Sequence, residues 1–494
     1  MEYLIGIDIG TGSTKAVALN LNYEPIQTSQ FFYPTTSSSQ GYSEQEPALI
    51  WQAFINAINQ LVAALGPDVK AIGLSAAMHS LIMVDSLGGV LAPMITWADS
   101  RSTQEANSLK QSDYGYTIYE ETGTPIHPMS PLCKLLWLKK HNQNLFYKTG
   151  KFISIKEYIW FRLFGTFKID YSIASATGLF NILNTKWDIN ALQIADIDQE
   201  KLSQPVPTNY TDNVLLADAA ALLPGLKTTF VIGASDGCLA NLGSEATTEG
   251  VAAITIGTSG AVRMASTKPL INRKAMTFNY ILDNEIFICG GPVNNGGIAL
   301  KWLLENIFEE KALSEAVYDS LFQSVATVTA GCEGLIFLPY LTGERAPIWD
   351  SEACGTFFGL NLRHKKSHMA RAVIEGICYA LFDVLIALES SSHKVSQINV
   401  SGGFIHSKVW MQILADITGK KLVLIMQEDA SAVGAAYLAA KTINLSKDYP
   451  AFANLTPEVI LPNRGNQMIY EKKFLIFKQV YANLSETMHQ HLNS

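Results

Sequence analysis

One stretch near the start of the chain limits the fold that the rest can adopt. The apolar run Tyr3–Ile9 contains a single acid, Asp8, and a turn of small residues at 10–13 separates it from a second apolar run at 16–19. This pattern predicts two strands joined as a β-hairpin. An acid inside a buried strand is costly unless it is paired or holds a metal, and small turn residues let backbone N–H groups approach an anion. The hairpin therefore predicts a phosphate cradle beside a metal-orienting carboxylate.

A similar pattern recurs half a chain later. Residues 254–260 repeat the apolar, Gly and Thr order of residues 7–13. Two such hairpins indicate a duplicated domain, in which each tip faces one nucleotide held between the halves. The alternative is that two unrelated hairpins share a Gly-rich turn.

Strands and helices alternate along the rest of the chain. Strands are predicted at 69–74, 81–84, 230–233, 286–289, 334–339, 398–401 and 422–425, and helices at 47–65, from 131 onward, and at 153–164, 368–389, 410–417 and 430–440. A Gly-rich loop is predicted at 290–297. This alternation predicts an α/β fold, whose ligands bind at the carboxyl ends of the strands.

Composition and charge indicate a packed globular protein and argue against several other classes of protein. The 494 residues allow two or three domains, and 48% hydrophobic with 16% charged residues describes a packed globular chain. A net charge of −8 without a basic stripe argues against a nucleic-acid partner. No apolar run is long enough to span a membrane, and no leader segment is visible. Six scattered cysteines without a C-x-x-C pair predict reduced thiols in a cytoplasmic protein.

Two short motifs follow predicted strands and offer polar side chains. Met78 and His79 come after the strand at 69–74, and a histidine there is favoured as a hydrogen-bonded structural residue over a ligand. Trp97, Asp99 and Arg101 form the second motif. It predicts either contacts to a polyol or an exposed ion pair over a core tryptophan.

Common nucleotide motifs are missing from the sequence. There is no G-x-x-x-x-G-K-[ST] segment, and Lys15 stands where a dinucleotide motif has its third glycine. A distributed set remains, and it suits a nucleotide held by backbone and small side chains. Its members are Asp8, the two Gly-Thr turns, Asp236, Gly297, Gly402 and Gly403.

These motifs resemble those of the FGGY carbohydrate kinases, of the actin-like and ribonuclease-H-like superfamily, over nearly the full chain. They occur in family order and spacing at 6–11, 41–47, 78–79, 236, 257–260, 343–347 and 402–403, with Trp410, Asp416 and Gly419. Residues 76–82 and 122–129 look more like gluconate kinases than xylulose or glycerol kinases. The resemblance implies two ribonuclease-H-like domains, 1–245 with the sugar site and phosphate hairpin and 246–494 with the adenosine site, and a cleft between them.

The resemblance also implies roles for single residues, with ATP and Mg²⁺ as cofactors. Asp8 would orient the metal, and Asp236 would be the general base. The implied nucleotide-binding residues are Thr11, Gly12, Ser13, Lys15, Thr258, Gly297, Lys301, Gly402, Gly403 and Ser407. The implied substrate-binding residues are Met78, His79, Trp97, Asp99, His127 and Asp236. The chain departs from relatives at Lys15, where some have Arg, at Ser407, where glycerol kinases have Asn, and at Phe404, which replaces a third glycine.

The implied activity is ATP-dependent phosphorylation of a sugar acid, foremost D-gluconate to 6-phosphogluconate. A buried carboxylate needs a donor, and His79, His127, Lys134 and Arg345 are candidates. Alternatives are a kinase for xylulose or another polyol, an actin-like or chaperone-like ATPase without a sugar substrate, and a binding protein that kept the fold. A soluble cytoplasmic protein is expected, without nucleic-acid or membrane partners, and the resemblance allows a homodimer.

Overall fold

The computed structural model describes residues 1–426, 429–449 and 458–492. The strands are β1 (Tyr3–Ile9), β2 (Ser13–Asn20), β3 (Pro25–Phe32), β4 (Thr36–Ser37), β5 (Ser43–Gln45), β6 (Val69–Ala76), β7 (Ile82–Val84), β8 (Met94–Ile95), β9 (Lys151–Ile153), β10 (Lys168–Asp170), β11 (Phe180–Asn181), β12 (Lys186–Trp187), β13 (Gln204–Val206), β14 (Thr211–Asp212), β15 (Thr229–Ser235), β16 (Val251–Ile256), β17 (Gly260–Ser266), β18 (Phe278–Ile281), β19 (Phe287–Val293), β20 (Ile336–Leu338), β21 (Thr356–Phe358), β22 (Gln397–Ser401), β23 (Lys421–Leu424) and β24 (Val459–Ile460).

The helices are α1 (Pro47–Leu65), α2 (Thr103–Gln111), α3 (Gly115–Thr122), α4 (Pro131–His141), α5 (Gln143–Lys148), α6 (Ile155–Phe164), α7 (Tyr171–Ser175), α8 (Ile189–Ala195), α9 (Ala217–Leu222), α10 (Asp236–Gly243), α11 (Gly297–Trp302), α12 (Glu315–Ala326), α13 (Lys366–Glu389), α14 (Lys408–Thr418), α15 (Ala430–Thr442) and α16 (Arg464–Leu492). Short helical turns occur at Gln199–Lys201, Leu303–Ile307, Cys332–Gly334 and Gly403–His406.

The chain divides into two compact units, and each is built from separate segments. The first unit contains Met1–Thr247, Ser266–Cys289 and the described residues 429–449. The second contains Thr248–Ala265, residues 290–426 and residues 458–492. Because the two units interleave along the chain, the domain division into 1–245 and 246–494 stays a prediction.

The sheet of the first unit has the strand order β14-β15-β6-β1-β2-β3. Strands β1 and β2 pair antiparallel, which confirms the first predicted hairpin, and β1, β6 and β15 run parallel. The register sets Ile9 beside Ala76 and Ala76 beside Ser235. The carboxyl ends of three neighbouring strands therefore lie level with one another, where ligands of α/β sheets bind.

Helix α15 lies unusually close to this sheet, and two glycines allow it. A Cβ atom at Gly6 would lie 1.7 Å from the carbonyl oxygen of Ala432, and one at Gly73 would lie 2.0 Å from that of Ala435. No side chain fits in that space. The small residues of the predicted helix at 430–440 thus serve backbone-to-backbone packing, and the helix forms as predicted.

Helix α1 covers another part of the first sheet. It begins at Pro47 as predicted, and Phe54, Ile58 and Leu61 are fully buried in the core beside it. Within the described part of the chain, α1 is the one helix long and apolar enough to cross a membrane. Its buried residues belong to the core of the unit.

The sheet of the second unit contains the strands β19, β17, β16, β22, β23 and β24 in that order. Strands β16 and β17 form the second predicted hairpin, and β16, β22 and β23 run parallel. A hairpin followed by two parallel strands is also the arrangement of β2, β1, β6 and β15 in the first unit. The repeated arrangement supports the predicted duplication.

Several predicted elements differ from the structure in their bounds, and two of these differences have a clear cause. The segment 290–297 is not all loop, because β19 continues to Val293. The helix predicted at 153–164 starts later, since β9 includes Ile153 and α6 begins at Ile155 behind the N-cap Ser154. There Ser154 and Glu157 form a reciprocal capping box. The apolar residues of β9 continue the helical pattern, so periodicity alone does not separate the two elements.

Candidate active site

The first unit brings two acids together at the ends of its parallel strands. Asp8 lies one residue before the end of β1, and Asp236 directly follows β15 as the first residue of α10. Between them, Ser75 on β6 donates a hydrogen bond of 2.7 Å from its Oγ to Oδ1 of Asp8. The Oδ1 atom of Asp236 accepts the N–H of Gly237 at 2.7 Å. Each carboxylate therefore has one oxygen fixed by its surroundings.

The two acids interact electrostatically. The pKa of Asp8 is raised to about 7, first by burial and then by the negative charge of Asp236, against the hydrogen bond from Ser75 and the charge of Lys15. Such a pair favours a cation, because carboxylate oxygens are the ligands that hard divalent ions prefer. The described residues contain no cluster of three or more His, Cys, Asp or Glu side chains for a closed metal site. This donor set fits Mg²⁺, which keeps several waters and takes one or two carboxylates.

The turn beside Asp8 is open on one side. The N–H of Gly10 donates to the carbonyl of Ser13 at 3.0 Å, and a Cβ atom at Gly12 would meet nothing within 4 Å. Thr11 and Ser13 are partly exposed there. The ammonium of Lys15 is 2.5 Å from Oδ1 of Asp429, so its charge is directed to that carboxylate. The turn has room for an anion, and Lys15 has a partner within its own unit.

The loop after β8 contradicts one of its two predicted interpretations, the exposed ion pair over a core tryptophan, and the predicted contact with a polyol stays a prediction. Asp99 is buried rather than exposed, and its carboxylate accepts the guanidinium of Arg101 at 2.7 Å and the N–H of Ser43 at 2.7 Å. Trp97 is the exposed member, with 36% of its surface accessible. This geometry favours a positioning role for Asp99, and Trp97 is the more accessible of the two side chains.

The two predicted histidines lie in different environments. His79 is buried, with Nδ1 2.7 Å from the carbonyl of Ala176 and Nε2 3.3 Å from the hydroxyl of Tyr280. That geometry is the structural arrangement favoured from the sequence. His127 is partly buried, and its Nδ1 accepts the N–H of Met129 at 3.2 Å. Met78 is also partly buried.

Two of the candidate cations are engaged by their own chain. The ammonium of Lys134 is buried and donates to the carbonyls of His79 and Thr96, at 2.5 and 2.7 Å. Burial lowers the pKa of Lys134 to about 7. Arg345, in the second unit, donates from Nε to Oδ1 of Asn294 at 2.7 Å. Both side chains therefore hold loops in place.

The second unit contains a cavity of about 560 Å³ at the ends of β16 and β22. Five predicted or motif residues line it, namely Gly257 of the hairpin turn, Gly297, Gly403, Ser407 and Trp410. Thr258, Lys301 and Gly402 do not line it. Lys301 instead lies 3.7 Å from Glu305, and Ser407 caps α14 by accepting the N–H of Trp410.

One wall of this cavity was missed from the sequence. It consists of Glu315, Tyr318, Asp319 and Phe322 on α12. These residues are spaced i, i+3, i+4 and i+7, so one face of a helix could have been recognised. Aromatic rings, hydrogen-bond acceptors and a volume in the range of small-molecule sites suit a nucleoside. Ser75, in the first unit, was also missed as a member of the site.

Comparison with known proteins identifies the family. The N-terminal domain of the FGGY family of carbohydrate kinases matches residues 3–243, and the C-terminal domain of that family matches residues 252–443. The gluconokinase of Bacillus subtilis (strain 168) is 42% identical over 448 residues, which cover 88% of this chain and 87% of that protein.

Two solved structures from Lactobacillus acidophilus superpose on nearly the whole chain. One is a gluconate kinase, with a TM-score of 0.94, 34% identity and 99% of both chains covered. The other is a ligand-bound xylulose kinase, with a TM-score of 0.94, 34% identity, and 99% of this chain and 100% of that one covered. The chain therefore belongs to the FGGY family of carbohydrate kinases and has the two-domain fold of that family.

Proposed function

We propose that this kinase transfers the terminal phosphoryl group of ATP to D-gluconate, giving 6-phosphogluconate. The observation that carries the proposal is the meeting of Asp8 and Asp236 at the strand ends beside the open turn at 10–13. Asp8 is suited to bind a metal ion, and Asp236 is suited to accept a proton. The 42% identity to a gluconokinase supports gluconate as the acceptor. A cytoplasmic location is part of the proposal and agrees with six free cysteines.

Asp236 serves as the general base in this mechanism. Its carboxylate takes the proton of the terminal hydroxyl of gluconate as that oxygen attacks phosphorus. The bond from Gly237 to Oδ1 orients the carboxylate, so the other oxygen can face the substrate. Phosphoryl transfer depends mainly on positioning and charge stabilisation, because the chemistry needs little covalent assistance.

Asp8 would hold the magnesium ion with the oxygen that Ser75 does not occupy. When bound, Mg²⁺ supplies positive charge that stabilises the phosphate oxygens. Thr11, Gly12 and Ser13 bind the phosphates from the turn, because the N–H groups of a turn of small residues suit an anion. In the second unit, Gly257, Gly297, Gly403 and Ser407 line the proposed adenosine cavity. The roles of Thr258, Lys301 and Gly402 in nucleotide binding remain part of the proposal without a place in the lining of this cavity.

Gly403 offers a direct test of the adenosine cavity. A Cβ atom at Gly403 would meet nothing of the protein within 4 Å, yet the residue lines the cavity. We expect Gly403→Val to raise the KM for ATP about tenfold or more, because overpacking of this size costs about 1–3 kcal/mol. The KM for the sugar should change little. Steady-state kinetics with each substrate varied in turn measures both.

The neighbouring glycine provides the matched control. Gly402 has a φ of +105°, and a Cβ there would lie 2.4 Å from the carbonyl oxygen of Ile256. Gly402→Ala should therefore lower the free energy of unfolding rather than act on the KM for ATP alone. If Gly403→Val left the KM for ATP unchanged, this result would contradict the binding of adenosine in this cavity.

The identity of the sugar that accepts the phosphoryl group is the second part of the proposal. Met78, Trp97 and His127 are the proposed substrate contacts, whereas the buried side chains of His79 and Asp99 bond to their own chain. We assign the carboxylate of gluconate to His127, since His79, Lys134 and Arg345 hold their own loops. Xylulose is the main alternative acceptor, because a xylulose kinase structure superposes as well as a gluconate kinase structure. An ATPase without a sugar would have no use for Asp236 or the exposed Trp97.

The product of gluconate turnover tests the assignment. Phosphorus and proton NMR of the reaction mixture should show phosphate coupled to the terminal CH₂ group, far from the carboxylate. Phosphate on a secondary carbon would mean that the sugar binds in another orientation. ATP hydrolysis without any phosphorylated sugar would favour the ATPase alternative.

A further inference from the structure

We propose that Gln45 and Trp97 act as a clamp on Thr11, and that this clamp couples sugar binding to binding of the nucleotide phosphates. The inference rests on the proposed function, in which Thr11 contacts phosphate and Trp97 contacts the sugar. It adds a positioning residue, Gln45, and a second task for Trp97. All members of the clamp lie in the first unit.

Three hydrogen bonds hold two consecutive residues of the phosphate turn, and the two that reach Thr11 form the clamp. The hydroxyl of Tyr33 donates to the carbonyl of Gly10 at 2.6 Å. The Nε2 atom of Gln45 donates to the carbonyl of Thr11 at 2.5 Å, and also to Oγ1 of Thr35 at 2.8 Å. The Nε1 atom of Trp97 donates to Oγ1 of Thr11 at 2.8 Å. Thr11 is thus held through both its backbone and its side chain.

Gln45 and Trp97 belong to one small structural element. Strands β4, β5 and β8 form a three-stranded sheet in which Gln45 pairs with Met94. Trp97 follows two residues after this sheet. The buried carboxylate of Asp99 accepts the N–H of Ser43 and so joins the loop of Trp97 to β5. A shift of Trp97 is therefore transmitted to Gln45 through backbone pairing rather than through a flexible chain.

The two arms of the clamp differ in exposure. Gln45 is only 4% exposed, whereas Trp97 is 36% exposed. The Gln45 arm is fixed by the fold. The Trp97 arm is more accessible, and a sugar packed on its exposed part would restrict the ring and hold its N–H on Thr11. Both bonds to Thr11 are present in the structure, so sugar binding would stabilise the Trp97 bond rather than form it.

The hydrogen-bonding capacity of Thr11 explains why sugar binding would favour phosphate binding. A threonine hydroxyl has one proton to donate and two acceptor positions, and an indole N–H can only donate. When Trp97 occupies an acceptor position of Thr11, the hydroxyl proton must point elsewhere. The open side of the turn, beside Gly12, is where a phosphate oxygen could accept it. Sugar binding would therefore present a donor to the phosphates, and by linkage phosphate binding would favour the sugar.

The coupling can be measured as a ratio of affinities. Isothermal titration calorimetry gives the Kd of a non-hydrolysable ATP analogue with Mg²⁺, in the absence and in the presence of saturating gluconate. We expect the wild-type protein to bind the analogue about fivefold more tightly with gluconate, the lower end of typical coupling between two sites. Trp97→Phe keeps a ring for the sugar but loses the N–H, so its ratio should fall to about one.

Two further variants separate the hydrogen bond from a general loss of structure. Thr11→Val keeps the Trp97 ring intact and should also give a ratio of about one. The double variant should show no further loss, because both changes remove the same bond. Trp187→Phe is the control, since it deletes another indole donor, to the carbonyl of Ser203 at 3.0 Å, away from the turn. Its ratio should equal that of the wild-type protein.

The outcomes distinguish this proposal from the proposed function. If the wild-type protein phosphorylates neither gluconate nor xylulose, the proposed function fails. If it phosphorylates gluconate but Thr11→Val keeps the fivefold ratio, the clamp is wrong and the kinase assignment stands. A double variant whose ratio falls below those of both single variants would also contradict a single shared bond.

Discussion

Asp236→Asn is expected to lose about 10²–10⁴-fold in kcat, the usual contribution of a general base, while ATP binding is retained. The amide keeps the shape of the side chain and can still accept the N–H of Gly237, so α10 should begin as before. What disappears is the ability to take the proton of the attacking hydroxyl. Removal of this negative charge also removes its electrostatic repulsion with Asp8, so the free energy of unfolding should not fall.

The measurement combines a coupled assay for kcat with calorimetry for ATP binding. Asp218→Asn is a suitable control, because Asp218 is an exposed acid in the first turn of another helix, α9. That variant should keep its turnover. Near-normal turnover in a folded Asp236→Asn enzyme would show that another group accepts the proton.

Asp8→Asn is expected to have opposite effects on activity and stability. Activity should fall steeply and no longer saturate at the magnesium concentration that saturates the wild-type enzyme, because one carboxylate ligand is missing. Without magnesium, the variant should be more stable than the wild-type protein at pH 8. The gain is on the order of 2 kcal/mol, since one pKa unit corresponds to about 1.4 kcal/mol and solvent at the strand ends screens part of the repulsion.

The sign of this stability change follows from linkage. The pKa of Asp8 is about 7 in the folded protein and about 3.8 when the group is unperturbed. Between these values the folded state binds more protons than the unfolded state, so the free energy of unfolding falls as the pH rises. The asparagine variant lacks this titration. Urea unfolding of metal-free protein at pH 5 and pH 8 should show the smaller pH dependence in the variant.

Magnesium provides the internal control for that experiment. It should raise the stability of the wild-type protein at pH 8 and have little effect on Asp8→Asn. If magnesium stabilised the wild-type protein and Asp8→Asn equally, the metal would bind to residues other than Asp8. A variant less stable than the wild-type protein at pH 8 would contradict the charge repulsion between Asp8 and Asp236.

The central acids were predictable because their signals are local. Asp8 interrupts an apolar strand, and Asp236 follows one, so each position is visible within a few residues of sequence. The remaining step is that parallel strands end at one edge of a sheet, which is a general property of α/β folds. The meeting of these two residues needed no knowledge of the distant contacts of either.

Other features depend on pairing across long stretches of chain. The ion pair of Asp99 and Arg101 is buried because β5 and its neighbours cover it, and the loop sequence does not contain that information. Likewise, α12 forms a wall of the cavity only when it packs beside α13 and α14. The Gln45 contact joins residues 34 positions apart. Such contacts form only through tertiary packing, so they are hard to predict from a single sequence.

The most direct test of the account is the ratio of kcat/KM for gluconate to kcat/KM for xylulose, measured in one assay of ADP release at saturating ATP and magnesium. Glycerol and ribulose serve as further acceptors, and a reaction without sugar gives the background hydrolysis. The account predicts that gluconate has the largest kcat/KM of the set. A larger value for xylulose would contradict the gluconate assignment, although the FGGY kinase family would still hold.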